Sequence, residues 1–194
     1  MLPDTIAFII ELDKLKTVCR KNKPIGLTRY ENSAEHSWQI AMLALACQPY
    51  AVTPIDINRV IKMLLVHDIG EIDTGDTMVY ADIDWEAEKA KEWHAVQRIF
   101  GLLKQPALEA ELSALWQEFE AGESDDARFA NALDRAMPPL LNLHYDGQSW
   151  RENGTRYSQQ PAISRGCPPL WDYLAAELQK RNEAGWFGMG RETL

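Results

Sequence analysis

The stretch 60-VIKMLLVHDIGEIDTGD-76 decides how the chain is read. Val60 to Val66 is apolar on nearly every side of a helical wheel, so the helix it forms belongs at the centre of a helical core. His67-Asp68 follows directly. An imidazole buried beside a carboxylate is costly unless both groups are satisfied, either by a hydrogen-bonded core pair or by a metal ion. Gly70 is placed to stop the helix, and Asp73-Thr74-Gly75-Asp76 reads as a turn. Upstream, Thr53-Pro54-Ile55-Asp56 has the form of a helix start, with an N-cap, proline at N1 and an acid at N3.

Outward from this stretch the periodicity stays helical, and no segment reads as a strand. Ile6, Ile9 and Ile10 form an apolar stripe near the N-terminus. Asn32, with Glu35 three residues on, reads as a capping box opening a helix that runs through His36 into IAMLALAC. Helices are expected over Asp84 to Phe100 and from Pro106 to Phe119, with Gly122 as the stop. Another starts at the cap Ser124, carries Phe129, Leu133 and Met137 on one face, and is expected to end at Pro138-Pro139. Asp146 to Asn153 reads as a polar loop. Pro168-Pro169 opens a last helix ending near Gly185, and Trp186 and Phe187 are the residues by which the tail would dock. The expected fold is all-α: one compact helical domain over residues 1–145, with 146–194 a loop and helix packed on it.

The chain has 194 residues and a formal net charge of −9. A surface that acidic repels a phosphate backbone, which excludes a nucleic-acid polymer as partner but allows a small phosphorylated ligand. Cys19, Cys47 and Cys167 form no CxxC pair, so neither a disulfide framework nor a zinc ribbon is expected. A reducing, cytoplasmic setting fits this usage. The first residues carry acids where a signal peptide needs bases, and no apolar run is long enough to span a bilayer, so no membrane partner is expected. Trp85, Trp93 and Trp116 fill either the core or an interface, and a homodimer is compatible with them.

The chemistry concentrates on few residues. His36 lies near the start of an apolar helix, and Asp134 borders the Phe129/Leu133/Met137 face. With His67 and Asp68 they place four potential ligands on three inward-facing helical surfaces. Two imidazoles and two carboxylates suit one divalent transition ion, Mn, Co, Fe, Ni or Zn, with an open position for water. His94 and His144 read as surface or structural histidines. Arg20, Lys21, Lys23 and Arg29 form a dense basic cluster in an acidic chain, and Arg20, Lys21 and Arg29 are the candidates to hold a phosphate.

The segments RYENSAEHSW (29–38), HDIGE (67–71), IDTGD (72–76) and ALDR (132–135) resemble the HD-domain superfamily of metal-dependent phosphohydrolases. Within it they are similar to the branch that includes the bacterial 5′-deoxynucleotidases and related uncharacterised HD hydrolases, over roughly Leu12 to Asn142. The resemblance implies His36, His67, Asp68 and Asp134 as metal ligands, and Glu71 and Asp76 as acting in the site, where a carboxylate can handle protons. It also implies a metal-activated water attacking a phosphomonoester, with nucleoside 5′-monophosphates as first substrates. Hydrolysis of another phosphoester or a nucleotide pyrophosphate, and a metal-binding nucleotide-sensing module, are the alternatives. In the deoxynucleotidases an arginine followed by tryptophan helps to hold the substrate and exclude ribose. Here the residues are Arg20-Lys21-Asn22, and the tryptophan is absent.

Overall fold

Asn32 and Glu35 close the capping box: the Asn32 side chain accepts from Glu35 N at 2.9 Å, and Glu35 Oε2 accepts from Asn32 N at 3.2 Å. In the computed structural model, which describes residues 2–77, 83–160 and 166–187, this box starts helix α2 (Ser33–Cys47). It follows α1 (Leu2–Leu12) and a short 3₁₀ turn (Asp13–Thr17). Among the described residues there is no strand; Cys19 and Asn32 form one isolated antiparallel bridge. The expected all-α class is therefore the observed one.

Helix α3 (Ile57–Val66) is capped by Asp56 and not by Thr53. Asp56 Oδ1 accepts from Asn58 N and Arg59 N, satisfying two amides that Thr53, three residues upstream, cannot reach. α3 packs between α2, α6 (Pro106–Ala121) and α7 (Asp125–Leu143). Val60, Met63 and Leu64 are fully buried, as the central helix requires, while Leu65 stays half exposed. The helix yields at His67 to a tight turn, in which Ile69 N donates to Val66 O and Glu71 N to Asp68 O, before one more turn, α4 (Glu71–Thr74). Gly70 acts here by its size: a Cβ would come within 3.0 Å of Glu92 O on α5 (Trp85–Gly101).

The expected stop at Pro138-Pro139 is incorrect, because α7 runs through both prolines to Leu143. Neither proline can donate to the carbonyl four residues earlier, and an interior proline costs about 3 kcal/mol. Continuing the helix buries Pro139, Leu141 and Leu143. Burial is worth about 1.5–3 kcal/mol per leucine, enough to offset much of that cost. The loop expected over Asp146 to Asn153 is also corrected: Gly147, at φ 62°, turns the chain into helix α8 (Gln148–Asn153), which buries Ser149 and Trp150. Helix α9 (Pro168–Glu183) starts at the proline pair as read, and its Leu174 and Leu178 join Ala136, Leu143 and Trp150 in a second apolar cluster. Phe187 docks there, its ring 4.8 Å from Trp150 and 5.5 Å from Tyr157. The rest of the tail, 188–194, lies outside the described residues.

The N-terminal stripe does not enter the core. α1 buries Phe8 against Phe100, and Ile6, Ile9 and Ile10 are more than half exposed.

Candidate active site

Three elements converge on one point. His36 stands in the first turn of α2, His67 and Asp68 in the turn that ends α3, and Asp134 in the middle of α7. His36 Nε2 lies 2.8 Å from Asp134 Oδ1. His67 Nε2 lies 2.9 Å from Asp68 Oδ1 and 3.7 Å from Asp134 Oδ1. One ligand atom from each of His36, His67 and Asp134 falls within 4.8 Å of the others.

His67 is aimed by its surroundings. Its Nδ1–H donates to Leu64 O at 2.9 Å, which turns Nε2 toward Asp68 and Asp134. The indole N–H of Trp116 donates to the His67 carbonyl, and Phe119 packs against the ring. Yet Nε2 is buried without a hydrogen bond, although Asp68 Oδ1 lies 2.9 Å away. An unpartnered imidazole nitrogen facing two carboxylate oxygens is a place for a cation, and nitrogen with oxygen donors suits a divalent transition ion.

The electrostatics point the same way. Burial works against a charged His67, but Asp68 and Asp134 outweigh it and push its pKa up to about 10. Burial raises Glu71 to about 9, with Asp68 and Asp76 adding to it. Asp76 is raised by burial as well, against the pull of Arg20. Carboxyl groups thus crowd around Arg20. Arg20 lies at the centre, with Nη1 2.8 Å from Asp68 Oδ2 and 3.8 Å from Asp76 Oδ1. Glu71 Oε2 accepts from Ser33 Oγ at 2.6 Å, which ties the start of α4 to the start of α2.

These groups line a cavity of about 600 Å³. His67, Asp68, Glu71, Asp76 and Asp134 form one part of its wall, and Arg20, Lys21 and Asn22 another. Trp85 and Trp150 add aromatic surface. Helix α8 holds the Arg20–Lys23 segment in place: Ser149 Oγ donates to Lys21 O, and Glu152 pairs with Lys23 at 2.7 Å. Asn142, 3% exposed, donates to Asn22 Oδ1 at 3.0 Å and accepts from Trp150 N at 3.2 Å.

With this geometry in view, the comparisons with known proteins are decisive. Residues 12–167 match the HD domain family. The chain belongs to that family. A protein from Magnetospirillum magnetotacticum, described as a predicted metal-dependent phosphohydrolase, is 41% identical in sequence with a TM-score of 0.88, over 97% of this chain and 98% of that one. The mouse 5′-deoxynucleotidase HDDC2 is 30% identical over 79% of this chain and 75% of its own length. The Dictyostelium discoideum 5′-deoxynucleotidase HDDC2 is 28% identical over 86% of this chain and 92% of its own. The chain is an HD-domain, metal-dependent phosphohydrolase.

Within this HD domain, eight of the nine residues singled out from sequence meet at one place. The exception is Arg29. It forks onto Glu35 at 2.6 and 2.8 Å on the surface and does not line the cavity. His94 and His144 are exposed, as read. No helix among the described residues is long and apolar enough to cross a membrane. Residues the sequence did not single out complete the site: Glu31, Ser33, Asn142 and Trp150. Glu31 and Ser33 lie inside the quoted motif, but no periodicity marks a residue just before an N-cap as buried. Asn142 and Trp150 were hidden by the reading of a helix stop and a loop.

Proposed function

We propose that the protein hydrolyses nucleoside 5′-monophosphates, with His36, His67, Asp68 and Asp134 holding one divalent transition ion. The observation that carries this reading is Arg20. Its buried guanidinium sits between Asp68 and Asp76 on the cavity wall, with Lys21 beside it, so a phosphate arriving next to the ligand cluster meets a planar fork of donors. The names of the mouse and Dictyostelium relatives support a nucleotide and favour turnover over mere sensing. A divalent ion at the four ligands supplies charge neutralisation for the phosphoryl group and a lowered pKa for water.

The chain's own residues do the rest. Arg20 and Lys21 neutralise charge on the phosphoryl oxygens and hold phosphorus toward the ligand cluster. Glu71, fixed by the Ser33 hydroxyl, and Asp76 stand on the same wall and handle protons, taking one from the attacking water and returning one to the leaving 5′-oxygen. Trp85 and Trp150 offer flat apolar surface to a base. The test is release of inorganic phosphate from a panel of nucleoside 5′-monophosphates with Mn²⁺ or Co²⁺. Phosphate release that disappears with chelator is expected; no release from any member with either ion overturns the reading.

A further inference from the structure

Glu31 is 1% exposed and does not line the cavity, yet its carboxylate lies against two residues of the site. Oε1 is 3.7 Å from His36 Nδ1 and 3.7 Å from Arg20 Nε. All three atoms are buried, and none has a hydrogen-bond partner among the described residues. Two are donors when His36 carries its proton on Nδ1, and the third is an acceptor, so one arrangement satisfies them together. The opposite ends of the same two side chains face the site: His36 Nε2 lies 2.8 Å from Asp134, and Arg20 Nη1 lies 2.8 Å from Asp68. The backbone fixes the placement, since Arg20 N donates to Glu31 O and Glu31 N donates to Asn22 O, each at 2.9 Å.

A buried carboxylate is expensive unless the charges and donors around it compensate. Its presence therefore calls for a role other than packing. We propose that Glu31 is a positioning residue: its carboxylate is the shared acceptor of His36 Nδ1–H and Arg20 Nε–H, reached by closing a gap of about 1 Å or through one water. Holding the proton on Nδ1 leaves the His36 lone pair on Nε2, directed at the ligand cluster, and raises its basicity as carboxylates behind ligating histidines do. Holding Nε of Arg20 leaves the other end of its guanidinium for Asp68 and an incoming phosphate. One carboxylate thus couples metal affinity to phosphate binding. His67 has a different anchor, the Leu64 carbonyl, so the two histidines are aimed independently.

This inference rests on the proposed metal and phosphate site, and its test separates the two. Wild type, Glu31→Leu and Glu31→Gln are compared by Co²⁺ affinity in chelator competition, by the melting temperature of the metal-free protein, and by kcat and KM for a nucleoside 5′-monophosphate. Glu31→Leu should weaken Co²⁺ binding about 10- to 100-fold, the usual effect of losing such a partner, and lower the melting temperature of the metal-free protein, because Arg20 Nε and His36 Nδ1 lose their shared acceptor. Glu31→Gln keeps one acceptor oxygen, so it should recover part of the affinity and raise KM more than it lowers kcat. If Glu31→Leu fails to fold, Glu31→Gln decides alone, with a loss of at least about threefold required. Affinity within about twofold of wild type in the folded variants overturns the proposal. A wild type that binds Co²⁺ but releases no phosphate overturns the activity and leaves the affinity comparison to judge Glu31. A wild type that binds no Co²⁺ overturns both.

Discussion

Asp68 and Glu71 lie on the same cavity wall, three residues apart, yet their surroundings assign them different work. Asp68 faces His67 Nε2 and Arg20, where a ligand oxygen belongs, whereas Glu71 is held by a serine hydroxyl. Asp68→Ala should therefore lose bound metal and activity together, measured by metal content and phosphate release. Glu71→Ala should keep its metal and lose about 10²–10⁴-fold in kcat, the usual size of a general acid–base contribution. Wild-type turnover by Glu71→Ala would remove the central carboxylate from the mechanism. The sugar is a second matter at this scale. Asn22 lines the cavity beside Arg20 and Lys21, where no tryptophan stands, and its Oδ1 accepts from Asn142. A small polar residue gives no steric wall against a 2′-hydroxyl, so ribo- and deoxyribonucleoside 5′-monophosphates of one base should differ by less than about tenfold in kcat/KM, or about 1.4 kcal/mol. A strong deoxy preference would move the wall to Trp85 or Trp150.

At the scale of elements, the last turn of α7 and the short helix α8 form the support for the Arg20–Lys23 segment, the proposed phosphate binder. Their link is Asn142. Its side chain donates to Asn22 Oδ1 and to Pro138 O, and accepts from Trp150 N, so one amide joins α7, α8 and the Arg20–Asn22 segment. Asn142→Leu leaves the Trp150 amide and Asn22 Oδ1 without these partners in a buried setting. We expect a loss of about 1–3 kcal/mol per unsatisfied group, read by urea denaturation, with KM for the nucleotide raised more than kcat is lowered. A variant as stable as wild type would show that α8 docks by its apolar contacts alone.

The whole molecule is a set of helices whose proposed ligands come from α2, the end of α3 and α7, elements that sit together only in the folded state. A metal that binds only that state must stabilise it, by about 2.7 kcal/mol at a free concentration one hundred times Kd. Chelator should lower the melting temperature, and Mn²⁺, Co²⁺ or Ni²⁺ should restore it; no shift with any of these ions would count against the assembled site. Much of this was legible in the sequence. The helical class, the Asn32–Glu35 box, the central position of α3 and the set His36, His67, Asp68 and Asp134 follow from periodicity, capping chemistry and the cost of burying polar groups, all local properties of the chain. The passage of α7 through Pro138-Pro139, the helix at 148–153, the surface fate of Arg29 and the burial of Glu31 depend on residues far away in sequence. Proline cost and loop-like composition are local terms of a few kcal/mol, and burial against α9 and Phe187 offsets much of them. Arg29 and Arg20 are equally basic in sequence; only the fold decides that one meets Glu35 at the surface while the other lies beside Asp68, Asp76 and Glu31.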